Sequence, residues 1–199
     1  MTERSGMRVR ADDLSAVPGD PRLLRLAERR ELRALLLRGA RREEWIRGRV
    51  AIRRAVAWSF TRASRCQVHT EPNGAPLVVG VDCTVSLSHD GCWFAVALAP
   101  GRALRVGVDV CRRVHAGRLE PILRRFIGRG VQLDPVVQWA AFECVLKMRG
   151  LGITALLGSD ATVRRAGRRV RVHGIGLDAS LYVIDRSDFV VVWGSEEQG

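Results

Sequence analysis

Residues 134–150, DPVVQWAAFECVLKMRG, form the stretch that constrains the fold of this chain most strongly. Asp134 is a residue type that caps helix N-termini, and Pro135 suits the first helical position. Gly150 is a common helix stop, because glycine adopts the left-handed backbone that ends a helix. The stretch therefore predicts one helix that begins at residue 135 and stops at residue 150.

Three non-aliphatic residues of this helix, Trp139, Glu143 and Lys147, are spaced i, i+4 and i+8, so they share one stripe. Most other positions are apolar, which predicts a largely buried helix. Lys147 is the only lysine among 33 basic residues. An ordinary surface ion pair with Glu143 is one interpretation. The other is a functional site, since lysine is preferred to arginine where a compact or titratable cation is required.

The remaining pattern predicts two α+β halves, residues 1–103 and 104–199, packed side by side. Apolar periodicity and turn residues predict helices, strands and hairpins in both halves. Helices are expected at about 20–39, 42–59, 120–127 and 135–149, a turn at 71–76, strands at 84–88, 92–98 and 104–110, and hairpins around 166–167 and between 179 and 194.

The net charge of +12 indicates an anionic partner without naming it. Nucleic acid is disfavoured, because the chain lacks both a helix-turn-helix signature and the interleaved basic and aromatic residues of single-strand binders. No apolar run approaches a membrane span and no secretory leader is evident, so we expect a cytoplasmic protein without a membrane partner. We also expect a monomer. The five cysteines show no metal or disulfide spacing and are interpreted as reduced thiols that fill the core.

Two further motifs bear polar groups at strand ends. RVGVDV, residues 105–110, ends an apolar strand near Asp109, which could bind a hard cation or cap the next segment. Asp109 and Glu143 together could coordinate Mg²⁺ through oxygen. SLSHDG, residues 86–91, could offer Ser88 and His89 to an anion or could be a plain hairpin turn. A serine hydrolase is excluded, because GxSxG is absent.

Taken in order, four segments resemble the motifs of the Sfp-type 4′-phosphopantetheinyl transferases. These segments are NGAP (73–76), SLSHDG (86–91), VGVDV (106–110) and WAAFECVLKMRGLGI (139–153). The resemblance implies an α+β (α/β) fold made of a pseudo-two-fold pair of similar subdomains with a cleft between them. It also implies Mg²⁺-dependent transfer of the 4′-phosphopantetheine arm of coenzyme A to a serine of an acidic acyl or peptidyl carrier protein, as in natural-product biosynthesis.

The resemblance assigns the catalytic and metal roles to three residues. Asp109 and Glu143 would bind Mg²⁺ on the diphosphate of coenzyme A. Glu143 would also deprotonate the carrier serine, directly or through water. Lys147 would neutralise charge on the diphosphate or protonate the leaving phosphate, and a slim ammonium would reach it where a broad guanidinium fits badly.

The resemblance places five residues against coenzyme A. Ser88 and His89 would contact its phosphates, and Gly74 and Pro76 of the turn motif would line its binding site. Arg49, in the basic segment GRVAIRR, would lie near the 3′-phosphate of the nucleotide.

Four positions depart from the family pattern. Phe142 and Ala75 replace lysines, Cys111 replaces a second acid, and Asp90 replaces a serine. Phe142 and Ala75 would make the cleft more apolar. An alternative is therefore a non-transferase of the same fold, either repurposed to bind or act on a natural-product intermediate or catalytically idle.

Overall fold

The computed structural model describes residues 2–4, 6–60, 66–127, 133–157, 159–174 and 178–197. These residues fold into a mixed α and β structure, as the sequence predicts. The α-helices are α1 Leu26–Ala34, α2 Gly39–Ser59, α3 Ala116–Ile127 and α4 Pro135–Arg149. The strands are β1 Thr2–Arg4, β2 Met7–Asp13, β3 Gln67–Thr70, β4 Pro76–Val79, β5 Cys83–Asp90, β6 Trp93–Pro100, β7 Leu104–Arg112, β8 Thr162–Ala166, β9 Arg169–His173, β10 Ala179–Asp185 and β11 Phe189–Glu197.

The strands form two large antiparallel sheets and one small hairpin. The first sheet has the order β1-β2-β6-β5, and the second has the order β7-β11-β10-β9-β8. Strands β3 and β4 pair separately as a hairpin. All strands of the first sheet come before residue 101 in the chain, and the first strand of the second sheet begins at Leu104.

Three apolar cores hold these layers together. One core packs α2 against the first sheet, and another packs α4 against the second sheet. The third core lies between the two sheets, where Met7, Ala97, Val108, Val191 and Trp193 meet. The order of layers is therefore helix, sheet, sheet, helix. Within the described residues, no helix combines the length and apolar character needed to cross a bilayer.

Strands β5 and β7, each at the edge of its own sheet, run side by side. The hydroxyl of Ser86 accepts the backbone N–H of Val108 at 3.2 Å, and the carboxylate of Asp90 accepts that of Arg112 at 2.7 Å. Both contacts join residues 22 positions apart, so the two strands run in the same direction. Side chains of β5 thus satisfy donors of β7 that would otherwise be unpaired at a sheet edge.

The predicted boundaries of α4 are confirmed. The Asp134 carboxylate accepts the backbone N–H of Val136 at 2.8 Å, and Gly150 ends the helix with φ 64. The first helix differs from its prediction, because residues Pro21–Leu23 form a 3₁₀ turn and α1 begins only at Leu26. Strands β1 and β2 were not predicted from the sequence.

Candidate functional site

The stripe predicted on α4 is present. Trp139, Glu143 and Lys147 are partly exposed, whereas most other residues of the helix are buried. A helix buried on nearly all sides holds these three side chains in fixed positions. The stripe is the part of α4 from which polar groups can reach a ligand.

Gly107 brings β7 close to α4. A Cβ atom at this position would lie 2.2 Å from the Cys144 carbonyl oxygen and 2.6 Å from Met148 Cγ, so only glycine fits. Side chains two residues apart on a strand point to the same face. Asp109 therefore also faces α4, at the level of Glu143 and Lys147.

Asp109 is the centre of a buried polar network, with 5 % of its surface exposed. Its Oδ1 atom lies 2.6 Å from Lys147 Nζ and accepts a hydrogen bond from the Ser88 hydroxyl at 2.7 Å. Lys147 Nζ also donates to the Val108 carbonyl at 3.2 Å. Burial raises the pKa of the Asp109 carboxyl, while the Lys147 ammonium and the Ser88 hydroxyl favour its ionised form.

Glu143 is coupled to the same network by charge. Burial raises the pKa of its carboxyl, and the negative charge of Asp109 raises it further, while Lys147 opposes both effects. Two carboxylates from different elements and one ammonium therefore interact at one place. A carboxyl with a raised pKa is a candidate for exchanging a proton with a substrate.

A cleft begins at Lys147 and consists of two adjoining pockets of about 360 Å³ and about 330 Å³. Both pockets share Lys147, Gly150 and residues of the 73–76 turn. Gly74 adopts φ 87 in this turn, and Gly74 and Pro76 both line the cleft. A Cβ at Gly150 would lie 3.4 Å from Asn73 Nδ2, so the end of α4 approaches the turn closely.

Three arginines that the sequence reading did not single out also line the cleft: Arg102, Arg105 and Arg149. Their charge is partly neutralised, since Arg149 and Arg105 lie 2.8 Å and 3.8 Å from Glu196. In a chain with so many arginines, no pattern distinguishes these three. The cleft can accept an anion that competes with these weak pairs.

Ser88 and His89 are not brought together. Ser88 is buried and its hydroxyl donates to Asp109. His89 is the next residue along β5, so it points to the opposite face of the strand, and it is exposed. Ser88 therefore orients Asp109. Ser88 and His89 do not form one anion site.

Arg49 lies in the core of the first half and is not among the residues that line the cleft. Its guanidinium lies 3.2 Å from the Glu31 carboxylate, donates to the Thr70 hydroxyl and stacks 4.2 Å from the ring centre of Trp45. Burial lowers the pKa of Arg49, and Glu31 counteracts this effect. The sequence-based placement beside a nucleotide phosphate does not agree with these contacts.

Phe142 is completely buried in the core beneath α4, with 0 % exposure. The interpretation that Phe142 makes the cleft more apolar is therefore wrong. Ala75 does line the cleft. All five cysteines are free thiols, and four of them are buried.

Cys111 and Asp90 have structural partners of their own. Burial raises the pKa of the Cys111 thiol to about 12, so it stays protonated and is a poor ligand for a hard cation. Burial would also raise the pKa of Asp90, but hydrogen bonds from the Arg112 backbone and from His115, which lies 3.0 Å away, hold it below its usual value. The Asp90 carboxylate thus contacts the end of β7, at Arg112, and the segment that follows it, at His115.

Asp109 and Glu143 are the two carboxylates that would hold a magnesium ion with few protein ligands. In the described part of the chain, no three His, Cys, Asp or Glu residues are grouped closely enough to hold a metal ion. Mg²⁺ accepts one or two carboxylates when substrate phosphates and water complete its octahedral shell. Both hydrogen bonds to Asp109 end on Oδ1, which leaves Oδ2 as the oxygen for a cation.

A comparison of the chain with models of known protein families and with curated proteins found no match.

Proposed function

We propose that this protein transfers the 4′-phosphopantetheine arm of coenzyme A to a serine of a carrier protein. One observation carries the proposal: Asp109 of β7 pairs with Lys147 of α4, both charges act on Glu143, and Lys147 lines a cleft between the two halves. Phosphoryl-type transfer requires little covalent help and much positioned charge. A buried carboxylate, a second carboxylate of raised pKa and one ammonium supply such charge.

In the proposed reaction, the carrier serine oxygen forms a bond to the phosphorus that bears the pantetheine arm. The bond from that phosphorus to the oxygen of 3′,5′-ADP breaks, and 3′,5′-ADP leaves with the electron pair. Glu143 accepts the serine proton, and Lys147 neutralises charge on the diphosphate. Asp109 and Glu143 would hold Mg²⁺, which when bound supplies further neutralisation of the diphosphate.

The proposal includes the finer architecture that the resemblance implies. The two halves would be related by a pseudo-two-fold axis, with coenzyme A between them. The net charge of +12 would steer an acidic carrier protein toward the enzyme. A cytoplasmic location agrees with five unpaired cysteines, and a monomer suffices for such a site.

A second function, the binding or conversion of a natural-product intermediate by a non-transferase, is favoured by the contacts of Arg49 and Ser88. Both residues are occupied by internal partners, Glu31 and Asp109, and Ala75 brings no charge to the cleft. Calorimetry separates the two functions. Coenzyme A binding that requires Mg²⁺ supports the transferase, whereas metal-independent binding of an apolar acid without coenzyme A binding supports the alternative.

The decisive experiment is an intact-mass assay of a purified apo-carrier incubated with coenzyme A, Mg²⁺ and the protein. The wild type should add one pantetheine arm, and Glu143→Gln should abolish the addition. The matched control is Glu120→Gln, which removes an exposed carboxylate that pairs with Arg124 on α3 and should leave the rate unchanged. Equal labelling by the Glu143 variant and the control would remove Glu143 from the mechanism.

A further inference from the structure

Leucines are exposed in an unusual concentration on one part of the first half. Four of the large apolar residues that are exposed on the protein lie between residues 23 and 36: Leu23, Leu26, Leu35 and Leu36. Leu36 is 81 % exposed, more than any other large apolar residue in the described chain. Scattered exposed leucines need no explanation, but a clustered patch marks an interaction surface.

Leu36, the most exposed of these leucines, lines a groove of about 500 Å³ between the end of α1 and the start of α2. We name it the leucine–arginine groove. It is lined chiefly by Leu32, Leu36, Leu37, Arg33, Arg38 and Arg42. Its volume lies in the range of ligand-binding clefts, and its lining combines apolar side chains with cations.

The acids of α1 point away from this groove. Glu28 is completely buried and pairs with Arg53, and Glu31 pairs with Arg49 of α2. These two acids are therefore held in the core, and a third acid, Asp20, pairs with another arginine of the groove lining, Arg22. Among the described residues, none is in ion-pair contact with Arg33, Arg38 or Arg42.

The arginines at the start of α2 are also placed against the helix dipole. Arg38 is the N-cap residue, Arg41 and Arg42 follow in the first turn, and that turn contains no acidic residue. A cation near a helix N-terminus is unfavourable, because the N-terminal end carries partial positive charge. The chain thus concentrates positive charge where it lowers its own stability, and an anionic partner would relieve the repulsion.

Leu36 itself adopts a strained backbone. Its φ is 49, in the left-handed region that non-glycine residues rarely occupy. This conformation holds a large apolar side chain in water at the edge of the groove. Both the strain and the exposure become explicable if a partner covers the side chain.

We propose that the leucine–arginine groove binds an amphipathic helix of a protein partner, with an apolar stripe on Leu32, Leu36 and Leu37 and carboxylates on Arg33, Arg38 and Arg42. A helix laid in an apolar groove with flanking charge is a common mode of recognition. The inference rests on this groove alone and does not require the transferase activity.

The groove fits an acidic helix better than the other anionic partners. Single-stranded nucleic acid needs aromatic platforms for its bases, and no aromatic residue in the described part of the chain lines the groove. A bilayer surface is flat on this scale, whereas the site is a groove lined by both leucines and arginines. A peptide helix can present an apolar stripe to the leucines and carboxylates to the arginines of such a groove.

The test uses the full-length protein and a fluorescein-labelled peptide of ~18 residues, built from glutamate and leucine at amphipathic helical spacing. Fluorescence anisotropy at near-physiological salt should show saturable binding. A scrambled peptide of the same composition should bind far more weakly, since it cannot present one apolar face.

Two groove variants should each weaken binding about tenfold or more. Leu36→Asn removes the apolar contact and keeps the fold, since asparagine tolerates left-handed backbone. Arg38→Gln with Arg42→Gln removes two rim charges. The matched control is Arg164→Gln with Arg171→Gln, an equal loss of charge at paired, exposed positions of β8 and β9, and it should change the affinity less than about twofold.

Three results would overturn the proposal. The scrambled peptide could bind as well as the amphipathic one, or the control could weaken binding as much as the groove variants, and either result would mean that net charge alone attracts the peptide. The third is tighter binding of oligothymidylate or phosphatidylglycerol vesicles than of the peptide, with the same dependence on Leu36. That result would assign the groove to nucleic acid or membrane.

Discussion

At the scale of single residues, the contacts of Lys147 explain why this position is a lysine in a chain whose other basic residues are arginines. Its ammonium fits between two oxygen acceptors, the Asp109 carboxylate at 2.6 Å and the Val108 carbonyl at 3.2 Å. Gly107 keeps this part of β7 close to α4. A planar guanidinium is broader and cannot make the same two contacts from the same place.

We therefore expect Lys147→Arg to reduce carrier labelling by about a hundredfold, the loss usual when one stabilising donor is removed. The measurement is the initial rate in the intact-mass assay. Arg149→Lys is the matched control, because Arg149 also lines the cleft and pairs with Glu196. Arg149→Lys should retain most of the wild-type rate. Full activity of Lys147→Arg would show that the site requires only a positive charge at this position.

The pKa of the Glu143 carboxyl should be higher than the usual value for glutamate, because burial and the Asp109 charge both raise it. Asp109→Asn removes the repelling charge and should lower the midpoint. Lys147→Met removes the favourable charge and should raise it. Carbon-detected NMR of the Glu143 carboxyl measures all three midpoints, and identical values would contradict the coupling. If Glu143 is the base, labelling by the wild type should rise with pH through the same midpoint.

Some contacts of these residues could be predicted from the sequence and others could not, for a physical reason. Glu143 and Lys147 could be paired because they are four residues apart on one helix, where spacing alone defines a shared face. The partners of Arg49 and Ser88 lie on other elements, since Glu31 belongs to α1 and Asp109 to β7. Contacts of that range depend on packing, which local periodicity does not contain.

At the scale of elements, the junction of β7 and α4 depends on Gly107. An added Cβ would meet backbone at 2.2 Å, which a side-chain rotation cannot relieve. Gly107→Ala should therefore lower the free energy of unfolding by about 1–3 kcal/mol, measured by urea denaturation. It should also weaken the contact between Asp109 and Lys147 and so reduce any activity of the site.

The matched control is Gly117→Ala in α3, where an added Cβ meets nothing within 4 Å. Alanine is a better helix former than glycine, so this variant should be as stable as the wild type or up to about 1 kcal/mol more stable. Equal unfolding free energies for Gly107→Ala and Gly117→Ala would mean that β7 and α4 can separate without cost.

Most elements of the second half could be predicted, because strong caps and turns mark them. Asp134 and Gly150 bound α4, and residues 166 and 167 lie at the turn of the hairpin between β8 and β9. The pairing of β7 could not be predicted. It follows β6 in sequence but hydrogen-bonds with β11, the last strand. β2 was missed because the charged residues in MRVRADD obscure its buried positions, Met7 and Val9.

At the scale of the whole molecule, the two halves share buried surface and cannot unfold separately at low cost. Their sheets enclose a common core, in which Val108 and Trp193 face Met7 and Ala97. Ser86 and Asp90 add hydrogen bonds between β5 and β7. Unfolding one half would expose the apolar face and the unpaired strand edge of the other.

We therefore expect a core substitution in one half to destabilise both. Ile52 is completely buried between α2 and the first sheet, and Ile52→Ala should lower the free energy of unfolding by about 2–5 kcal/mol. Hydrogen exchange of the β10 and β11 amides in the other half should accelerate by the same free energy, because these amides exchange through global unfolding. Leu23→Ala, at an exposed position, should leave that exchange unchanged.

If β10 and β11 keep their protection in Ile52→Ala, the second half is stable alone. The cleft between the halves could then open without unfolding Asp109, Glu143 and Lys147, all of which belong to the second half.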